Sequence, residues 1–107
     1  MKTIYLLILT LCLCGTIAAA ADQDTHASAL TSNSIYQKNC AKCHGKTAGG
    51  RHFGGPSLIS EKVSSASIDD LRTIISNGKG HMPKFAGKLT STDEDLLLMQ
   101  IKAANQK

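Results

Sequence analysis

An all-α domain is predicted, and three observations predict it. Apolar residues recur at helical spacing in three separate stretches. The segments between them are glycine-rich and lack strand-like alternation. The run Cys40-Ala41-Lys42-Cys43-His44 fits one helical turn that sets two thiols and an imidazole on a common face. C-x-x-C-H is the attachment signature of c-type haem: the thiols bond the two vinyl groups along one side of the porphyrin, and the imidazole just beyond reaches the iron. A bare C-x-x-C also serves as half a zinc site or as a dithiol redox pair.

The chain begins with an export signal. Lys2 is a positive n-region, Ile4 to Cys14 is almost wholly apolar, and Ala18 to Ala21 offers cleavage after Ala20 or Ala21. A retained membrane anchor is the alternative, but the stretch is short for a span and has no stop-transfer cluster. A lipoprotein signal at Cys12 or Cys14 would want a small residue where Leu11 and Leu13 stand. Domain boundaries follow: residues 1–21 as cleaved signal, 22–33 as a flexible N-terminal leader poor in apolar residues, and 34–107 as one domain.

Within that domain, Ser34 to Cys43 carries Ile35, Tyr36 and Cys40 near one helix face, with Ser32, Asn33 or Ser34 as cap. Five glycines between Gly45 and Gly55 predict a loop. Ser67-Ile68-Asp69-Asp70 opens a second helix, whose apolar side is Ile68, Leu71, Ile74 and Ile75 and whose stop is Asn77-Gly78. Ser91-x-x-Glu94 or Thr92-x-x-Asp95 opens the last helix, with Leu96, Leu97, Met99, Ile101 and Ala104 as its apolar side.

Cysteine usage narrows the chemistry. Without Cys12 and Cys14 only Cys40 and Cys43 remain, and a bridge between them would close a loop too small to staple a domain. Zinc would need a second pair, yet His26, His52 and His81 are scattered. Covalent haem supplies the apolar mass that so short a chain lacks. An iron with one histidine needs a ligand on its other face. Met82 sits in Asn77-Gly78-Lys79-Gly80-His81-Met82-Pro83-Lys84-Phe85, poor core company for a filler methionine. His81 and His52 are the competitors, and Met99 reads as core.

With these residues in place, the chain resembles the class I c-type cytochromes of the small bacterial monohaem kind, over roughly Ile35 to Ala104. The resemblance is carried by Cys40-Ala41-Lys42-Cys43-His44-Gly45, Gly55-Pro56-Ser57-Leu58, Gly80-His81-Met82-Pro83-Lys84-Phe85 and the C-terminal helix. It implies the small cytochrome c fold, three or more helices wrapped around one haem c attached through Cys40 and Cys43. It further implies that the Pro56 carbonyl accepts from the His44 Nδ1–H, that Leu58 lies against the haem, and that Phe85 belongs to the haem surroundings. The departures are Ser32 at a small-residue position in the helix crossing, no aromatic on the last helix, and a longer connection from Leu89 to Leu96.

His44 and Met82 as the two axial metal ligands would leave no open position. The expectation is therefore a periplasmic single-electron carrier and not an enzyme; a haem enzyme or gas or redox sensor with a displaceable sixth ligand is the alternative. Expected partners are redox proteins: an oxidase, a quinol-oxidising complex or an exported dehydrogenase. The formal charge is +4 for the whole chain. Lys79, Lys84 and Lys88 flank the Met82 loop and would dock an acidic partner, with apolar contacts near Phe85 as the alternative anchor. The acids gather at helix starts, where the dipole favours them. With no basic run and no interleaved aromatics, nucleic acid is not expected. Nor is membrane insertion after cleavage, and the expected state is a monomer.

Overall fold

The computed structural model describes residues 22–106. The expected signal segment lies outside the described residues. The described residues form six helices in order: α1 (Asp22–Ser32), α2 (Ser34–Asn39), α3 (Ala41–His44), α4 (Glu61–Ser65), α5 (Ile68–Asn77) and α6 (Ser91–Ala104). Among the described residues there is no strand, only isolated bridges such as Lys79 with Met82. None of these helices is long and apolar enough to cross a membrane.

The stretch expected to be a flexible leader is instead helix α1, which packs against α6. Leu30 explains it: this single large apolar residue of α1 is fully buried. Tertiary burial stabilises a helix whose own sequence has little amphipathic pattern. Asn33 breaks the chain between α1 and α2. Its side chain accepts from the Ile35 N–H at 2.8 Å, capping α2, while its Nδ2 donates to Gln100 Oε1 of α6 at 2.7 Å. The single helix expected over Ser34 to Cys43 is therefore two short ones joined at Cys40.

Helix α5 starts and stops where the sequence predicts. Ser67 Oγ accepts from the Asp70 N–H, and Gly78 ends the helix. Helix α6 does not. Its capping box is Thr90 with Asp93: Thr90 Oγ1 accepts from the Asp93 N–H at 3.1 Å, and Asp93 accepts from the Thr90 N–H at 3.0 Å. The buried face is then Glu94, Leu97, Leu98 and Ile101, at i, i+3, i+4 and i+7. Leu96 is exposed, and Met99 is 66% exposed, so the expectation of Met99 as core is wrong.

The core is small. Among the described residues, Tyr36, Leu30, Leu97 and Leu98 stand out as large side chains buried completely. Tyr36 donates its hydroxyl to the Gly45 carbonyl at 2.7 Å, tying α2 to the turn after His44. Burial, with a smaller contribution from the Cys40 thiol, pushes the phenol from 10.0 up to about 12. Neutral tyrosine is thus favoured by the folded state, and the unfolded chain loses its proton first. The resulting stability is whole below pH 10.0 and falls as pH rises toward about 12. Alkaline unfolding of wild type and Tyr36→Phe checks this. The variant should lose roughly 1 kcal/mol at neutral pH through the missing hydrogen bond, and its stability should fall less across that alkaline window.

Candidate haem site

Helix α3, the loop that follows it and the Met82 loop after α5 build the site. Helix α3 ends at His44, so Cys40, Cys43 and His44 lie along one turn. Both cysteines are free thiols, Cys40 half-buried and Cys43 exposed. The chain then turns at Gly45 and folds back: the His44 carbonyl accepts from Gly50 N–H at 2.7 Å, and the Cys43 carbonyl from Gly55 N–H at 2.6 Å. These two bonds fasten the glycine-rich loop across the back of α3. The loop delivers Pro56 to His44, whose Nδ1 lies 2.7 Å from the Pro56 carbonyl oxygen.

That contact fixes the imidazole. A carbonyl can only accept, so Nδ1 carries the proton and Nε2 holds a free lone pair. His44 is 8% exposed, and Nε2 makes no hydrogen bond among the described residues. Since no buried side-chain nitrogen or oxygen among the described residues is left without a partner, Nε2 opens onto accessible space. This is the tautomer and orientation of a metal-ligating histidine whose other nitrogen is held by a backbone carbonyl.

Gly55 is part of the Gly55-Pro56-Ser57-Leu58 match, but its role at the site is seen only in the fold. A Cβ built there would stand 2.8 Å from both His44 Cε1 and Nδ1. The imidazole therefore packs closely on the Gly55 backbone, and a larger residue there would force the ring to shift. Gly55→Ala should push the ring off the Pro56 carbonyl; we expect a loss of ~2 kcal/mol or more, as for other overpacked core sites. Thermal melts of the haem-loaded protein check this. The sequence signal was the pair Gly54-Gly55 directly before a proline.

The Met82 loop leaves α5 at Gly78 and closes on itself. Lys79 N–H donates to Met82 O at 3.2 Å, and Met82 N–H to Lys79 O at 3.0 Å. Gly78, expected as the stop of α5, has φ +76 and a second role: a Cβ there would meet Met82 O at 2.5 Å. Met82 is half-buried and packs at the border of the core, as do Cys40, Leu58, Leu71 and Val63. Phe85 belongs to the core itself, at 6% exposure, and so offers no apolar surface at an exposed edge. Both competing ligands, His52 and His81, are exposed side chains.

The zinc and dithiol readings fare poorly. No three of His, Cys, Asp and Glu converge on a metal position among the described residues. The Cys40 thiol is pushed up to about 11, first by burial and then by the neighbouring Cys43. An attacking thiol in a redox pair needs the opposite shift. Two free thiols, an imidazole with one nitrogen held and the other open, and a border of half-buried apolar side chains fit covalent haem.

A c-type cytochrome domain is the class that this fold and donor set define. The chain matches, over residues 27–98, the family model described as cytochrome c oxidase, cbb3-type, subunit III, and it belongs to that family. It is similar to cytochrome c6 of Leptolyngbya boryana, 33% identical over 67 residues that cover 60% of this chain and 78% of that protein. Cytochrome c6 of Porphyra purpurea is 34% identical over 85 residues, 75% of this chain and 67% of the relative. Cytochrome c-551 of Bacillus subtilis (strain 168) is 39% identical over 62 residues, and the match spans about half of that relative, 51%, and 56% of this chain. The chain is a small monohaem c-type cytochrome with covalently bound haem c, and Cys40 and Cys43 stand at the attachment spacing.

Proposed function

We propose that this protein is a periplasmic carrier of single electrons, with His44 and Met82 as axial ligands and Cys40 and Cys43 as the attachment points. The observation that carries the reading is the 2.7 Å contact from His44 Nδ1 to the Pro56 carbonyl, which presents Nε2 as a fixed ligand. Bound haem supplies an iron that alternates between two oxidation states. The chain's part is to keep that change small in geometry. Pro56 and Gly55 hold the imidazole from two sides, and the Lys79–Met82 turn holds the thioether on a short loop. Thioether is a soft donor that favours ferrous iron and raises the reduction potential. With His44 and Met82 both holding the iron, no position would remain for peroxide or a gas, which is why the carrier is preferred to an enzyme or sensor. Protein matured with haem-attachment machinery should titrate with a one-electron slope, and its reduced form should leave carbon monoxide unbound. Ready carbon monoxide binding would favour the sensor or enzyme.

The partners in this reading are redox proteins with acidic faces. Lys79, Lys84 and Lys88 are exposed around the Met82 loop. The acids beyond it are largely committed: Asp93 caps α6, Glu94 is buried, and Asp95 pairs with Arg72 at 2.6 Å. Electron transfer to the physiological partner should slow several-fold between 0.1 and 1 M salt, as the Debye length falls from about 10 to about 3 Å. Charge reversal of Lys79, Lys84 and Lys88 to Glu should lower the association rate while leaving the potential nearly unchanged. Stopped-flow kinetics check both, with reversal of Asp69 and Asp70 as the control that changes little. Export through the N-terminal segment, cleaved after Ala20 or Ala21, and a monomeric state complete the proposal.

A further inference from the structure

Glu94 is a carboxylate without a cation. It lies in the first turn of α6 at 7% exposure, and no ion pair reaches it among the described residues. Its hydrogen-bond partner is one hydroxyl: Ser76 Oγ donates toward its two carboxylate oxygens, at 2.9 and 3.2 Å. Burying a carboxylate is costly unless its hydrogen bonds are met, so this contact needs a reason.

The position of Ser76 supplies one. Ser76 is the penultimate residue of α5, two before the Gly78 turn from which the Met82 loop departs. The same loop returns at Phe85 and Ala86, whose N–H groups donate to the carbonyls of Ile75 and Ser76 at 3.0 and 3.1 Å. The loop therefore departs two residues after Ser76 and is anchored on its return to Ile75 and Ser76. Glu94 grips that anchor from the opposite helix, with Leu97 and Leu98 fully buried in the next turn to hold α6 in place. At the far end of the loop, the Met82 carbonyl lies against Gly78.

We propose that Glu94, acting through Ser76, is a positioning residue for the Met82 loop, setting how firmly the thioether is presented as a ligand. The inference rests on Met82 being the sixth ligand. A hydrogen bond to a charged group inside a protein contributes more than a neutral one, and removing its partner leaves the buried carboxylate unsatisfied. Its loss should act first on the loop that leaves from Ser76, and only secondarily on the helices.

The test uses the oxidised, haem-loaded protein and two signals: the weak far-red sulfur-to-iron band for Met82 ligation, and far-ultraviolet circular dichroism for the helices. Both are followed through a guanidinium titration of wild type, Ser76→Ala, Glu94→Ala and Glu94→Gln. In Ser76→Ala and Glu94→Ala the far-red band should disappear at clearly lower denaturant than the helical signal, with the detached population raised about tenfold in water. Glu94→Gln keeps an acceptor for Ser76 Oγ and should stay close to wild type, which separates positioning from general damage. Parallel shifts of both signals in Ser76→Ala and Glu94→Ala, or no shift in either, would overturn the proposal. A wild-type protein without the far-red band would overturn the ligand assignment itself, a different failure and visible before any variant is made.

Discussion

Replacing both Cys40 and Cys43 with alanine should abolish covalent haem and take most of the helical structure with it. The reason is the size of the protein core. Among the described residues four large side chains stand out as completely buried, α4 contributes no buried residue, and α3 is only four residues long. A domain below roughly 100 residues buries too little apolar surface to offset its chain entropy comfortably. Cys40, Leu58, Val63, Leu71 and Met82 sit half-buried along the margin of the core, where a covalently held apolar plate would complete it. Absorbance of the purified variant and its far-ultraviolet circular dichroism decide the matter together. A doubly substituted chain that melts cooperatively near the wild-type temperature, with no haem attached, would show that the helices stand alone.

Met82→His carries the second large effect. The haem should remain attached and low-spin, since the thiols and His44 are untouched and imidazole is itself a strong ligand. The potential should fall, because imidazole stabilises ferric iron better than thioether does. A drop on the order of 0.2 V is expected, well inside the ≈ 0.8 V range over which axial ligands set haem potentials. The loop can carry the change: Met82 reaches the core's edge from a turn closed by its own backbone, and the side chain makes none of those bonds. An unchanged potential and spectrum would assign the sixth position to His81 or another residue.

Much of the haem site was legible in the chain because its parts are local. Cys40, Cys43 and His44 need only one turn of helix, and Pro56, which the loop brings to His44, is twelve positions further on. Glycine runs and proline announced that loop. Non-local features were harder to read. Helix α1 has one strong apolar anchor, Leu30, and its burial depends on α6, some seventy residues away. The phase of α6 was misread for a related reason. Leu96-Leu97-Leu98 is a run without a period, and the residue that marks the buried face is Glu94, which hydrophobic counting rejects. Its partner Ser76 lies on another helix. Gly55 and Gly78 were visible as loop glycines, but the atoms that exclude a side chain there, the His44 ring and the Met82 carbonyl, come from elsewhere in the fold.

In the proposed carrier, His44 and Met82 close both faces of the iron. Proton NMR of the reduced, haem-loaded protein tests this, because a methionine methyl bound to ferrous haem lies above the ring and is shifted far upfield. The chain has three methionines, of which Met1 belongs to the expected signal and Met99 is 66% exposed on α6. One strongly upfield methyl that disappears in Met82→His and persists in a Met99→Leu variant is the predicted result. A reduced spectrum with no such methyl, or one that disappears with Met99 instead, would contradict the assignment and with it the closed, six-coordinate carrier.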